Sequence, residues 1–171
     1  CHFTKVGVID NCREFNVARS FNFRHNLCRI LSGGRERAVF IENKKGRVAE
    51  ATRYIADHDI NLKALSIADT QDFGILRIIC ENPEKANEVL QNGGYITTMT
   101  DVLAAAISDT PGSLASILEV LSEANVVVEY TYAFLSAKAG SYMIFRVDDN
   151  QSAAASLAAA GIKTANQTDL F

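Results

Sequence analysis

The sequence has no tryptophan, only two prolines among 171 residues, and no long apolar run. A membrane-spanning helix needs roughly 18 or more consecutive apolar residues. The longest apolar or alanine-rich stretches, 102–107 and 153–162, are far shorter, so we predict that the chain does not enter a membrane. The four cysteines follow no regular spacing, which excludes a disulfide framework and favours a reducing cytoplasm.

The chain also lacks a strong charge of either sign. Its formal net charge is −3 and its pI is about 5.6, which argues against a general binder of nucleic acid or of anionic membranes. Hydrophobic residues make up 48% and charged residues 22%, a balance typical of globular domains. The composition therefore excludes a fibrous chain or one that is disordered throughout.

Residues 1–37 differ in composition from the rest. They hold seven basic and three acidic residues, a net charge of +4, whereas the remainder has a net charge of −7. Three interpretations are open: a zinc site formed by Cys1, Cys12, His25 and Cys28, a basic arm that contacts an acidic partner or nucleic acid, or a weakly structured extension. Tightly spaced ligand pairs and sustained periodicity are missing, which favours the extension and no metal site.

From residue 38 onward the chain repeats itself. Residues 39–46 align with 105–112 at an offset of 66, and the offset becomes 67 after one extra residue. A period of this length is too long for a solenoid repeat and indicates a duplicated small domain. We therefore predict two modules: module 1 over residues 38–100 and module 2 over residues 101–171.

Each copy has the pattern βαββαβ. Predicted strands lie at 39–42, 60–68 (with a slip in the apolar alternation), 75–80, 95–99, 102–107, 126–135, 142–147 and 162–165. Helices are expected after 46, from Asn82-Pro83 to Gly93-Gly94, at 114–124 and at 152–159.

This order predicts an α+β fold of two ferredoxin-like modules, each with two helices on one face of a four-stranded antiparallel sheet. We expect the modules to pair edge to edge or helix to helix, which would cover exposed strand edges. Such pairing would bring their strand-to-helix loops to a shared cleft, where small ligands tend to bind.

The loop before the first helix has the chemistry that an α-amino acid needs. Gly46 leaves room for close approach, and the helix start offers N–H groups and positive potential to a carboxylate. Amide oxygens can accept from an ammonium group. The candidate ligand-binding residues of copy one are Asn43, Lys44, Lys45, Gly46, Arg47 and Asn61. The alternative interpretation is ordinary helix capping and solvated surface charge.

The matching loop of copy two has no basic residue. Its candidate binding residues are Asp109, Pro111, Gly112 and Ser113, and Val127 stands where copy one has Asn61. The two loops are therefore not equivalent. Either copy one alone has the better pocket, or one composite pocket uses both loops.

Two segments, 42–50 with 59–61 and 109–115 with 125–126, resemble ACT domains, small regulatory modules often attached to amino-acid-biosynthetic enzymes. The resemblance covers about 38–164 and implies a stand-alone tandem ACT protein that binds an amino acid between paired modules. In serine-binding members an Asn three residues before the loop glycine and another at the next strand hold the ligand, which matches Asn43 and Asn61. Asp109, Val127 and Lys45 (where the family usually has Pro) depart from that pattern.

The resemblance implies a regulatory protein that senses a small amino acid, without enzymatic activity or cofactor. We expect a homodimer. The alternative is a regulatory subunit, resembling the small subunit of acetohydroxyacid synthase, whose partner is the catalytic subunit of a biosynthetic enzyme.

Catalytic and nucleic-acid-binding functions have little support in the sequence. Ser-His-Asp, HExxH and Walker patterns are missing, and the acylphosphatase alternative depends on Arg47 and Asn61 alone. RNA-recognition sheets need stacking aromatics on their central strands, a pattern that 75–79 and 142–146 do not show.

Overall fold

The computed structural model describes residues 33–69, 73–136 and 140–171. The interpretations of the N-terminal extension as a basic arm or as a zinc site of Cys1, Cys12, His25 and Cys28 lie outside these residues. In chain order the elements are β1 (Gly34–Glu42), α1 (Arg47–Asp57), β2 (Leu62–Asp69), β3 (Phe73–Cys80), α2 (Pro83–Asn92), β4 (Ile96–Ala106), α3 (Ser113–Glu123), β5 (Val128–Ser136), β6 (Gly140–Val147), α4 (Asn150–Ala159) and β7 (Thr164–Ala165).

The predicted α+β fold and the order of its elements are confirmed. Two boundaries differ. Strand β1 begins at Gly34, so residues 34–37 belong to the sheet and not, as the composition predicts, to the extension. The strands expected at 95–99 and 102–107 form one continuous strand, β4. No glycine or proline interrupts the stretch between Ile96 and Ala106, so nothing there ends the extended conformation.

Two of the helices, α2 and α4, begin at a side-chain cap. The side chain of Asn82 accepts from the backbone N–H of Lys85 at 2.9 Å, and Pro83 occupies the first helical position. The side chain of Asp149 caps α4 in the same way. Within the described ranges, no helix has both the length and the apolar character needed to cross a membrane.

The sheet passes from one module to the other through β4. Its order is β2-β3-β1-β4-β6-β5, with β7 also paired to β4, and every pairing is antiparallel. Residues 96–102 of β4 pair with β1, and residues 103–106 pair with β6. The outer strands β2 and β5 contact each other without being neighbours in the hydrogen-bonded order. The sheet therefore curls so that its two halves face each other.

This curl creates a core between the modules. Helices α1 and α2 cover one face of module 1, and α3 and α4 cover the matching face of module 2. The opposite faces pack on each other, and their buried residues include Ile79, Phe134, Tyr142, Ile144 and Leu170. The modules meet at a sheet edge, one of the two predicted arrangements, because β4 pairs with β1 and with β6. In addition they pack face to face, which was not predicted and which buries the apolar side of both sheets at once.

Candidate functional site

The loop between β1 and α1 begins its helix without a side-chain cap. Gly46 occupies the N-cap position with a φ of 91°, in the left-handed region that favours glycine. No heavy atom lies within 4 Å of the place where a Cβ would stand. The first N–H groups of a helix have no partner inside the helix, so this end of α1 has room and donors for an anion.

Charges of both signs surround that helix start. Arg47 Nη1 lies 2.7 Å from Glu50 Oε2, and Lys44 Nζ lies 3.0 Å from Glu42 Oε2. The hydrogen bond from Lys44 lowers the pKa of the Glu42 carboxyl, and the one to Glu50 raises the pKa of Arg47. Asn43 and Lys45 are exposed beside them. The loop thus presents a guanidinium and two carboxylates next to an open helix end.

A pocket of about 390 Å³ adjoins this loop. It is lined by Phe40, Ile41, Glu42, Arg47, Glu50, Gly93, Gly94, Tyr95 and Ile96. Only Arg47 among these is one of the site residues predicted from the sequence. Glu50 was missed because an acidic residue three positions after an arginine on a helix is also the pattern of a solvated surface ion pair.

The matching loop of module 2 has the same backbone but different chemistry. Gly112 is the N-cap of α3 with a φ of 90°, almost identical to Gly46. The hydroxyls of Ser108, Thr110 and Ser113 hydrogen-bond one another at 2.5 to 3.0 Å. Asp109 and Pro111 are exposed. Because its hydroxyls are already paired and it has no basic residue, this loop is the poorer site for a carboxylate.

The structure does not bring the two loops together within one chain. Phe40 pairs with Ile96, so the first loop lies at the start of β4, whereas the second loop follows Ala106 at its end. The ten residue steps from Ile96 to Ala106 separate them, about 33 Å of strand at 3.3 Å per residue. The expected cleft shared by both loops of one chain is therefore wrong.

Asn61 is also remote from the first loop. It directly precedes Leu62, which pairs with Cys80, whereas Glu42 at the loop end of β1 pairs with Phe73 at the other end of β3. Asn61 and Arg47 thus lie toward opposite ends of the module 1 sheet. The acylphosphatase alternative, which needs these two residues in one site, is not supported by this arrangement.

A buried polar cluster joins the two modules. Glu36 has a fully buried side chain that accepts hydrogen bonds from Tyr130 at 2.7 Å and Tyr132 at 2.6 Å. Arg77 Nε lies 3.6 Å from the same carboxylate, and the guanidinium stacks over the Tyr130 ring at 3.9 Å. Burial raises the pKa of Tyr130 to about 12 and also raises the pKa of Tyr132.

Sequence reasoning missed this cluster. The sequence pattern places Glu36 in the extension and Arg77 in a strand without stacking aromatics. An arginine inside the otherwise apolar strand β3 was the signal that could have shown it, since a buried charge needs a partner.

Comparison with known proteins identifies a family to which the chain is similar. A family model described as an ACT domain pair matches residues 35–170. A solved structure of a Bacteroides thetaiotaomicron protein is 33% identical, covers 81% of this chain and 96% of its own, and superposes with a TM-score of 0.75. No curated protein matches.

Two more distant structures share the fold. The ligand-free regulatory subunit of aspartate kinase from Thermus thermophilus is 13% identical, with 77% of this chain and 94% of its own covered and a TM-score of 0.57. The regulatory subunit of aspartate kinase from Thermus flavus is 12% identical, with 74% and 92% covered and a TM-score of 0.54.

Proposed function

The chain belongs to the ACT family as a domain pair, and from this premise we propose that it is a regulatory protein that binds a free amino acid at the loop Asn43–Arg47. The proposal describes a sensor without a catalytic step, acting in the cytoplasm. Occupancy of the site would alter the assembly of the protein or the activity of a partner.

One observation supports this site above all others: the uncapped start of α1 lies beside charges of both signs. An α-amino acid carries a carboxylate and an ammonium group a few ångströms apart. The Arg47 guanidinium and the first turn of α1, which has no side-chain cap, suit the carboxylate, and the carboxylates of Glu42 and Glu50 suit the ammonium. The amide of Asn43 stands at the same loop.

The remaining predicted residues require a second copy of the chain. Asn61 and the loop that contains Asp109, Pro111, Gly112 and Ser113 are remote from Asn43–Arg47 within one chain. In a homodimer they would reach the loop of the other copy, and the amino acid would then bind between modules of two chains. The side chains of Leu65 and Ile67 on the outer strand β2 are 40% and 48% exposed, which suits burial against another protein surface.

The exposed β2 surface also favours the second candidate, a regulatory subunit that docks on a catalytic chain. The two candidate functions predict different oligomeric states and ligand affinities in solution. The sensor forms a homodimer and binds its amino acid alone, whereas the regulatory subunit binds the amino acid weakly until its catalytic partner is present.

A thermal-shift screen of the full chain against the twenty amino acids tests the proposal. A ligand at a hundred times its dissociation constant adds about 2.7 kcal/mol to the free energy of unfolding. Arg47→Met removes the charge while keeping an unbranched side chain, and should abolish that gain. Asn43→Ala should reduce it, and in a homodimer Asn61→Ala should reduce it as well.

Arg53→Met is the matched control, because Arg53 is exposed on the same helix and does not line the pocket. It should leave the ligand-induced shift unchanged. If none of the twenty amino acids shifts the unfolding temperature, or if Arg47→Met and Arg53→Met behave alike, the proposed site is wrong.

A further inference from the structure

The sheet of module 1 has an apolar row on the face that its helices do not cover. Val39 and Ile41 pack against α1 and α2, so the side chain of Phe40 between them points to the opposite face. Side chains that are paired across antiparallel strands lie on the same face of a sheet. The row therefore contains one residue from each of the four strands, in the order Ala68, Ile75, Phe40 and Ile96.

This apolar row is open to solvent. Ile96 is 71% exposed and Phe40 is 38% exposed, and the other two members are half-buried. Module 2 packs on the same face at Ala64 and Ile79, four residues along β2 and β3 from the row, which is about 13 Å at 3.3 Å per residue. Large apolar side chains that are grouped on one face and left in water mark a surface that binds another molecule.

Module 2 shows how the matching row is covered. At the same place in the repeat, Ala106 and Phe134 both pair with Tyr142. Phe134 is fully buried and Tyr142 is 5% exposed. Leu170 belongs to the same core, and the ring of Phe171 lies edge-on to Phe134 with 6.4 Å between the ring centroids. A segment of the chain itself thus covers the row of module 2, whereas within residues 33–69, 73–136 and 140–171 the row of module 1 has no such cover.

The contacts and charges of this face favour a second copy of the chain as its cover. The face already packs on the sheet of module 2, a repeat of the same unit, so a sheet face of this chain is the kind of surface that it suits. Arg77, the nearest charge on the face, is paired with Glu36 and stacked on Tyr130 within the chain. Glu42, which follows the row on β1, has Lys44 Nζ at 3.0 Å. Two copies that meet here therefore place apolar side chains opposite each other, with both nearby charges already paired.

We propose that the row Ala68–Ile75–Phe40–Ile96 packs on the same row of a second copy across a two-fold axis. This interface forms the homodimer of the proposed function, so the inference rests on that homodimer and not on the binding of an amino acid. Standard interfaces bury about 800 Å² per partner, which is more than four side chains supply. The row is thus the apolar centre, its polar neighbours Ser66 and Thr98 form the rim, and the dimer is reversible, with a dissociation constant in the micromolar range.

Sedimentation velocity of the full chain, at concentrations from about 1 to 100 µM, tests the interface. The chain should pass from monomer to dimer across this range. Ile96→Lys places a charge in the apolar centre and should weaken dimerisation by at least about tenfold. Leu135→Lys is the matched control, because Leu135 is 73% exposed, also lies on a strand and does not belong to the row. It should leave the dissociation constant of the dimer unchanged.

The variants must be folded for this comparison to decide. Circular dichroism verifies the fold of Ile96→Lys. Ile96→Gln adds no charge and should weaken dimerisation in the same direction by a smaller factor. A chain that stays monomeric at every concentration overturns the inference. A dimer that Ile96→Lys weakens no more than Leu135→Lys does also overturns it.

The thermal-shift screen separates this interface from the proposed ligand site. A monomer that binds an amino acid overturns the interface and leaves the site at the loop Asn43–Arg47 in place. A dimer that Ile96→Lys dissociates, but that no amino acid stabilises, supports the interface and overturns the ligand site.

Discussion

The carboxylate of Glu36 accepts a hydrogen bond of 2.6 Å from the hydroxyl of Tyr132, 96 positions further along the chain. Glu36 is at the start of the module 1 sheet and Tyr132 is on an outer strand of module 2. Packing of two sheet faces by apolar contacts alone leaves their relative position weakly specified. A buried carboxylate with two hydroxyl donors tolerates little displacement, so this cluster specifies how the modules sit on each other.

Glu36→Gln should lower the free energy of unfolding by about 3 kcal/mol. The amide keeps the shape of the side chain but removes the charge opposite Arg77 and one of two good acceptors for the tyrosine hydroxyls. Urea denaturation measures the change. Glu84→Gln is the control, since Glu84 pairs with Arg35 on the surface and should cost less than about 1 kcal/mol. Equal losses in both variants would contradict a structural role for the buried cluster.

Stability should fall as the pH rises from about 10 to about 12. The pKa of Tyr130 is raised to about 12 in the folded protein, against about 10 in the unfolded chain. Its contribution is therefore fully present below pH of about 10 and is lost as the pH rises through the folded value. Burial raises the pKa of Cys80 to about 11, so this thiol acts in the same direction.

The loss of stability at alkaline pH can be measured as the urea concentration at the unfolding midpoint across that pH range, with tyrosinate absorbance recorded in parallel. Tyr130→Phe should flatten the pH dependence in part, because Tyr132 and Cys80 remain. A Tyr130→Phe protein with the same slope as the parent would show that Tyr130 does not titrate with unfolding.

Gly93→Ala should destabilise the protein by about 1 to 3 kcal/mol through overpacking against Tyr54. The same substitution in a Tyr54→Ala background should cost much less, and a double-mutant cycle gives the difference. A Cβ added at Gly94 would meet no atom within 4 Å. Gly94→Ala should therefore lower the free energy of unfolding by about 1 to 2 kcal/mol through its left-handed backbone alone, and this loss should not depend on Tyr54. Equal coupling for both glycines would argue against the steric explanation.

Leu170→Ala should lower stability by about 2 kcal/mol or more. Leu170 is 1% exposed, and it belongs to the core between the modules. Leu135→Ala is the comparison, because Leu135 is 73% exposed and its truncation should stay within about 0.5 kcal/mol. The denaturation midpoints of the two variants should therefore differ clearly. If they coincide, the C-terminal segment does not stabilise the packing of the modules.

Local signals predicted the elements well. Asn82 and Pro83 marked the start of α2, and the side-chain hydrogen bond to Lys85 confirms that reading. The apolar alternation along β2 slips between Ala64 and Ile67, whereas the register shift of the strand lies earlier, between Leu62 and Ala64. The cap of α2 depends on residues close in sequence, so it could be read without knowing what packs against it, and the register of β2 could not.

The candidate site was predictable only in part. The composition of the loop indicated Asn43–Arg47. The pocket beside this loop is also lined by Tyr95 and Ile96, about fifty residues later in the chain, because β4 pairs with β1. The same strand register separates Asn61 from the loop. Strand pairing depends on contacts between distant residues, which a pattern in one segment does not contain.

By itself the sequence determined a duplicated βαββαβ unit, because apolar periodicity, helix caps and turn glycines each act within a single element. Gly46 and Gly112, which occupy matching positions in the two copies, have the same backbone conformation. Folding alone determined the relation between the copies. One strand runs through both sheets, the two sheets fold face to face, and Glu36 loses contact with water between them. The reason is that the two sheets bury their apolar faces only when segments distant in sequence pack together. No single segment therefore determines the free energy gained by this burial.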